Sequence, residues 1–223
     1  MDTLLSTLQP GPSVLGLTFY PSEPNHFVVQ SSDGRLLHQS RFGNPGPPKQ
    51  FLCDETPSAV TTVSFSPHYS AYFLAGCVDG SVRLYKDSFA SPLITWAAAC
   101  MATPSTGKTN LDFFYSSNSI VQCQWSPQRP SVFFVLDSSG AFHAFDCLQD
   151  DKSPVLSVNL GESKDRHPVP TKLSFTVGQY SSFPAYVAFT AEGRTELRQL
   201  SPSLTKSWPN EPEAFLSFLS SAF

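Results

Sequence analysis

Charged side chains are scarce in this sequence of 223 residues, because lysine, arginine, aspartate and glutamate make up only 14% of it. An average globular domain contains about 25%. Acidic residues outnumber basic residues by 18 to 14, so the formal net charge is −4. Proteins that bind a phosphate backbone depend on an excess of lysine and arginine. We therefore expect no nucleic-acid partner.

Long hydrophobic runs are also missing. The longest apolar stretches are Val132 to Leu136 and Trp96 to Met101, far shorter than the ~20 residues that a membrane-spanning helix requires. The segment from Met1 to Leu5 has neither the basic region nor the long apolar region of a secretory signal. We expect no membrane association and a cytoplasmic location.

Residue patterns that mark catalytic or metal sites are absent from the sequence. The five cysteines lie 23 or 24 residues apart without a C-x-x-C pair, and no two of the five histidines are spaced i, i+4. There is no G-x-S-x-G motif. Asp33, Asp79 and Asp137 lie at or beside expected turns, where aspartate ordinarily accepts backbone hydrogen bonds. We predict reduced thiols, no cofactor, no metal site, no small-molecule substrate and no enzymatic activity.

Phenylalanine, proline and serine are abundant and recur in a pattern. An aromatic residue, a small or polar residue and proline occur together as Phe19-Tyr20-Pro21, Phe65-Ser66-Pro67 and Trp125-Ser126-Pro127, and a glycine follows 15 residues after each aromatic. A weaker copy runs from Phe175 to Gly193. The copies start 46, 60 and 50 residues apart, close to the ~40 to 45 residues of a propeller blade.

Each copy contains four short apolar segments. Before the aromatic residue the apolar positions alternate, as in Leu15, Leu17 and Phe19, which predicts a strand with one buried face. The second segment ends at a glycine such as Gly80, where we expect a two-residue primed hairpin turn. The sequence predicts an all-β fold, a partial WD-type β-propeller of about four blades over residues 1–210, with blades near 14–53, 59–96, 119–158 and 170–207.

Two expectations concern the ends of this propeller. A WD-type propeller usually has about seven blades, so we expect the sequence to be the C-terminal part of a longer protein or a truncated gene product. Residues 211–223 change period, with Phe215, Phe218 and Leu219 on one helical face and acidic residues in the first turn. They predict an amphipathic helix that packs on the last blade; docking on a partner is the alternative.

The connection from Ala97 to Asn118 is unusually long, and loops of this length are often functional. It contains a run of aromatic residues, the kind of side chain that anchors protein interfaces. We predict that the partner-binding residues lie here: Trp96, Lys108, Phe113, Phe114 and Tyr115. The alternative is that these aromatic residues pack under the neighbouring blade.

Within this connection, Ala102 to Thr109 fits a relaxed phosphate-loop pattern, and the segment from Phe133 to Asp137 resembles a strand that ends in a magnesium-binding acid. A phosphate loop requires a helix that begins at its lysine and threonine. Residues 110–119 are too short and too rich in serine and asparagine for such a helix. An inter-blade loop is favoured, and a nucleotide-binding enzyme is the alternative.

The third repeat resembles a blade of the WD-repeat dynein intermediate chains. It has an apolar strand, Trp125-Ser126-Pro127, a second proline three residues later, an apolar run to Asp137, and Phe145-Asp146-Cys147-Leu148 where the family has Trp-Asp-Leu. The second repeat, Val60 to Tyr85, is similar to the blade that comes before it in the proteins of this family. Within the family, the chain is most similar to the C-terminal propeller of the larger type that serves cytoplasmic dynein 2, the motor of retrograde intraflagellar transport.

The resemblance implies a non-catalytic scaffold that binds the dynein heavy chain and works beside a second dynein intermediate chain. It also implies a location in the cytoplasm and on the cytoskeleton of the cilium. A WD-repeat adaptor unrelated to dynein is the alternative that the residues leave open.

Overall fold

The computed structural model describes residues 12–53, 58–97, 118–160, 172–176, 186–191 and 194–221. Within them, antiparallel strands form four sheets, and two short helices follow. Sheet 1 contains β1 (Val14–Phe19), β2 (His26–Ser31), β3 (Leu36–Ser40) and β4 (Gln50–Phe51); sheet 2 contains β5 (Val60–Phe65), β6 (Tyr72–Cys77), β7 (Val82–Lys86) and β8 (Ile94–Trp96); sheet 3 contains β9 (Ile120–Trp125), β10 (Val132–Asp137), β11 (Ala141–Asp146) and β12 (Leu156–Asn159); sheet 4 contains β13 (Lys172–Thr176), β14 (Tyr186–Ala191) and β15 (Arg194–Gln199). The helices are α1 (Pro202–Thr205) and α2 (Glu211–Ser221). No helix among the described residues is long and apolar enough to span a bilayer.

The sheets lie side by side like the blades of a propeller. In each sheet the strands follow one another in chain order, and the first strands of successive sheets contact each other, β1 with β5, β5 with β9 and β9 with β13. Three buried apolar clusters fill the spaces between sheets 1 and 2, sheets 2 and 3, and sheets 3 and 4. The predicted partial WD-type propeller is confirmed.

Packing between sheets decides which strand faces are buried. Strands β6, β10 and β11 are buried along their whole length, because each lies in a sheet that is covered on both faces. For β1 the expectation of one buried face is wrong. Leu15, Leu17 and Phe19 are 54%, 47% and 43% exposed, since no described residue covers that face of sheet 1.

In sheets 1 and 2 the hairpin between the second and third strands differs from the expected two-residue primed turn. The amides of Gly34 and Gly80 donate to the carbonyls of Ser31 and Cys77, three residues earlier. The glycines have φ of +84° and +80°. Each of these two hairpins is therefore a four-residue turn with one left-handed residue at its end, a loop that needs glycine at a single position.

The recurring proline motif forms the corner between the first and second strands of a sheet. Ser66 Oγ accepts from the amides of His68 and Tyr69 at 3.3 and 3.2 Å. Ser126 Oγ accepts from the equivalent amides, those of Gln128 and Arg129, at 3.3 and 3.2 Å. The serine side chain thus satisfies donors that the tight corner leaves outside the sheet.

Helix α2 does not pack on the last sheet, as the sequence suggested, but on sheets 2 and 3. Its fully buried Phe215 lies against Tyr69 and Trp125, with ring centroids 6.1 and 6.0 Å apart. Tyr69 also donates from its hydroxyl to the carbonyl of Pro212 at 3.1 Å. A buried charge cluster described below holds the start of the helix at this place.

Candidate partner-binding surfaces

Most of the residues that the sequence singled out for partner binding lie outside the described part of the chain. These are Lys108, Phe113, Phe114 and Tyr115, together with the phosphate-loop segment from Ala102 to Thr109. Their roles stay predictions.

Trp96, the remaining predicted residue, ends β8 and is 2% exposed. Its indole Nε1 donates to the carbonyl of Asp151 at 2.8 Å. Its ring lies 4.8 Å from that of Phe133 and 5.9 Å from that of Phe145. The indole therefore joins sheet 2 to sheet 3 and presents almost no surface to a partner, and its role in binding stays a prediction.

The front face of sheet 1, which looks away from sheet 2, is an apolar surface. Leu15, Leu17 and Phe19 form its first row and are about half exposed. The register places Phe27 beside Phe19, and their rings are 5.7 Å apart. The guanidinium of Arg41 lies 5.1 Å from the centre of the Phe19 ring. Period two in the first repeat identified these residues as a set, but it assigned them to the core.

The far face of sheet 4, at the other end of the row of sheets, is more polar. Thr190 and Thr195 lie opposite each other on β14 and β15 with their hydroxyl oxygens 3.4 Å apart. Leu197, two residues further along β15, is 60% exposed. Among the side chains that the structure describes, the two end faces thus offer different chemistry, and a row of large exposed apolar side chains is found on sheet 1 but not on sheet 4.

We expect the isolated chain to self-associate through the front face of sheet 1, since exposed apolar rows of this kind pair in water. A Leu17→Arg variant should sediment as a monomer in analytical ultracentrifugation where the parent forms larger species. Its free energy of unfolding should change by no more than about 0.5 kcal/mol, as is usual at an exposed position. Leu197→Arg on sheet 4 is the matched control. A parent chain that is monomeric would contradict this expectation.

Two histidines are in direct contact where sheet 1 meets sheet 2. The Nδ1 atom of His26 is 2.9 Å from Nε2 of His38, and Nδ1 of His38 is 3.2 Å from the carbonyl of Pro48. Because a carbonyl only accepts, His38 donates from Nδ1 and accepts from His26 at Nε2. Burial lowers the pKa of His38 and nearby His26 acts in the same direction, while the hydrogen bond to Pro48 and the carboxylates of Asp87 and Glu23 oppose them.

This arrangement predicts that the chain loses stability in mild acid. Below an unfolded-state pKa of about 6.5 the unfolded chain protonates His38 more readily than the folded protein does. The contribution of His38 is therefore complete above that pH and declines as the pH falls through it. Urea unfolding from about pH 8 to about pH 5.5 should show a shallower loss of stability for His38→Gln than for the parent. Identical slopes would show that the pair has no such effect.

A buried charge cluster fastens α2 to sheet 3. Arg129 contacts a carboxylate oxygen of Glu211 at 3.0 Å and one of Asp146 at 2.9 Å, and all three side chains are at least nine-tenths buried. Ser131 Oγ donates to Glu211 at 2.6 Å, and Arg129 also donates to the carbonyl of Ser203. Burial opposes ionisation of Glu211, but the hydrogen bonds from Arg129 and Ser131 outweigh it and hold its pKa below the ordinary value.

A serine, a histidine and an aspartate meet in sheet 3. Nδ1 of His143 is 2.8 Å from Ser157 Oγ, but its Nε2 is 3.8 Å from the carboxylate of Asp137, too long for a hydrogen bond. Asp137 instead accepts from the amides of Ser139 and Ala141 at 2.9 and 2.8 Å. Its carboxylate therefore organises the turn after β10, the role that the sequence indicated.

Metal-binding and thiol chemistry find little support in the residues that the structure describes. No three histidine, cysteine, aspartate or glutamate side chains among them are grouped so as to hold a metal ion. Cys77 and Cys123 are buried free thiols, and burial raises their pKa to about 11 and about 12. Such thiols are protonated at neutral pH and poor nucleophiles.

Comparisons with known proteins give one consistent result. The chain is 32% identical over 189 residues to human cytoplasmic dynein 2 intermediate chain 1, which covers 83% of this chain and 16% of the relative. It is 30% identical over 166 residues to mouse cytoplasmic dynein 2 intermediate chain 2, covering 74% of this chain and 27% of the relative. It is 25% identical over 192 residues to the 70 kDa intermediate chain of the Chlamydomonas reinhardtii flagellar outer arm, covering 84% and 29%. No protein-family model matches the chain.

These similarities extend over most of the chain but over less than a third of each relative. The matched lengths of 189 and 192 residues are longer than any one sheet with its connections. The likeness therefore covers several successive sheets and does not rest on the third repeat alone.

Proposed function

Because this chain belongs to the family of WD-repeat dynein intermediate chains, we propose that it is a non-catalytic scaffold subunit of ciliary cytoplasmic dynein 2. It binds the dynein heavy chain and acts beside a second intermediate chain in retrograde intraflagellar transport. The observation that carries this proposal is the 32% identity to a cytoplasmic dynein 2 intermediate chain over 83% of the chain.

The architecture suits a scaffold, since its sheets are joined by continuous apolar packing. Clusters of buried side chains connect sheet 1 to sheet 2, sheet 2 to sheet 3 and sheet 3 to sheet 4. Protein interiors packed in this way transmit force and do not deform continuously. A rigid row of sheets holds partner subunits at a constant distance, which is what a motor complex requires of a non-catalytic subunit.

Affinity purification of the tagged chain from ciliated cells tests the proposal. We expect the dynein 2 heavy chain and another intermediate chain to co-purify. When the chain is removed from the cells, we expect the proteins carried by intraflagellar transport to accumulate at the ciliary tips, because their return to the cell body is retrograde. The dynein 1 heavy chain, measured in the same samples, is the control for dynein class. Capture of dynein 1 alone would assign the chain to another motor, and capture of neither heavy chain would remove the proposal.

A further inference from the structure

Three aromatic rings recur between neighbouring sheets. Between sheets 1 and 2, Phe73 and Tyr85 stack with centroids 5.1 Å apart, and Phe51 of β4 lies 4.9 Å from Phe73. These three side chains are fully buried. Phe51 comes from the sheet before and inserts its ring against the stacked pair of the next sheet.

The same three rings join sheets 2 and 3. Phe133 and Phe145 stack at 4.7 Å with their planes 4° apart, and Trp96 of β8 lies 4.8 Å from Phe133. Strand register shows that the positions are equivalent. Phe51 pairs with Leu36 and Trp96 pairs with Val82, each of which lies two residues after the turn glycine.

Between sheets 3 and 4 all three ring positions hold other residues. Val158 pairs with Phe142, two residues after Gly140, and so takes the place of Phe51 and Trp96. Val187 pairs with Arg198 where the other sheets have the stacked aromatic pair. A different ring contact crosses this interface, between Phe142 and Phe189, whose centroids are 5.3 Å apart.

The missing rings leave a cavity of about 110 Å³. An enclosed apolar cavity of about 150 Å³ binds benzene; this space is smaller but open at one side, so a single aromatic ring can enter it from the mouth. It is open to solvent, because Leu156 at its edge is 40% exposed and the Arg198 side chain is 43% exposed. Gln199 and Ser201 are the other polar residues of its lining, and the rest is apolar: Phe142, Val158, Leu160, Val187, Phe189, Leu200 and Leu204.

A strand edge lies beside the cavity. Sheets 1 to 3 have four strands each, whereas the described part of sheet 4 ends at β15. After β15 the chain turns into α1 and then crosses to sheets 2 and 3 as α2. Residues 195–199 of β15 are all exposed. An extended segment can pair with this edge through main-chain hydrogen bonds and place alternate side chains in neighbouring pockets.

We infer that this cavity binds an aromatic side chain carried by an extended segment of a partner subunit, with the ring beneath the guanidinium of Arg198. The ring completes the packing that Phe51 and Trp96 provide in the other two interfaces. A guanidinium at the mouth favours an aromatic ring over an aliphatic side chain through cation–π attraction. The inference rests on the proposed function, since it takes the partner to be a dynein subunit.

Indole, as a probe, tests the cavity without any partner. Methyl resonances of Leu160 and Val187 should shift on titration with indole, and Val158→Trp, which restores the ring found at Trp96, should abolish the shifts. Val158→Phe serves if the larger ring prevents folding. Leu197→Trp, on the opposite face of β15, should leave indole binding unchanged. Absence of shifts in the parent, or equal shifts in the Val158 variants, would overturn the inference.

Photocross-linking in the purified complex tests the occupant. A photoreactive phenylalanine analogue in place of Leu156 should cross-link to another dynein subunit. Val158→Trp should prevent this cross-link. The same analogue in place of exposed Phe42 is the control, since it reports on a distant surface. A cross-link within the chain itself, or none in a complex that contains the heavy chain, would overturn the inference while the proposed function stands. Failure to purify any dynein subunit would remove the proposed function, and the indole titration would still decide whether the cavity accepts a ring.

Discussion

A Trp96→Ala variant is expected to lose about 3 to 5 kcal/mol of unfolding free energy, the usual cost of removing a buried aromatic side chain from a packed core. The indole is 2% exposed and contacts Phe133 and Phe145 across the interface between sheets 2 and 3. Its removal opens a cavity in that interface and leaves the carbonyl of Asp151 without its donor. Urea unfolding followed by far-ultraviolet circular dichroism measures the loss.

This variant also separates the two roles considered for Trp96, which are packing between sheets 2 and 3 and direct contact with a partner. Trp208 is 45% exposed and makes a matched control, so Trp208→Ala should leave stability close to that of the parent. Trp96→Phe retains a ring and should lose less than the alanine variant. A Trp96→Ala variant that is as stable as the parent but binds dynein subunits poorly would contradict the core role and favour direct contact.

Arg129→Ala is expected to release α2 and to cost about 3 to 5 kcal/mol, because it leaves the carboxylates of Asp146 and Glu211 buried without a countercharge. Both carboxylates lie within 3.0 Å of the arginine. Arg129→Lys should not restore the loss, since one ammonium group cannot reproduce the forked guanidinium contacts. Hydrogen exchange of the α2 amides and urea unfolding together report the release and its cost.

The matched control is Arg35→Ala, which removes an exposed contact with Asp33 at 2.6 Å. Exposed pairs contribute little because water and salt screen them, so this variant should behave like the parent. Replacing all three buried groups with apolar residues, as Arg129→Met, Asp146→Leu and Glu211→Met, should recover most of the stability. A triple variant as unstable as Arg129→Ala would show that packing at this place, and not unpaired charge, accounts for the effect.

The repeat and the propeller class were both readable from the chain. Period-two alternation and the aromatic-x-proline motif are local signals, and Ser66 and Ser126 show why, since each closes its corner with hydrogen bonds to amides two and three residues later. The family was also recognisable, because Trp125-Ser126-Pro127 and the run to Asp137 keep their spacing.

The surfaces were less accessible to sequence reasoning. Leu15, Leu17 and Phe19 alternate with other residues in the same way as the apolar residues of a half-buried strand. The sequence pattern alone therefore does not reveal that, in the described structure, no sheet covers this face. The cavity beside Arg198 was missed for a related reason. Val158 and Val187 are ordinary strand residues, and their significance emerges only when strand register aligns them with Trp96 and Phe133.

Contacts that join distant parts of the chain were decided by the fold. Arg129 and Glu211 are 82 positions apart, and nothing near either residue indicates that the other is its partner. The period of a strand, the residues of a corner and the amphipathic character of α2 depend on neighbours within a few positions, so they are present in the order of amino acids. Packing between separate sheets decides three other features: which face is covered, where a helix docks and where a ring is missing. These features are therefore settled only when the sheets pack.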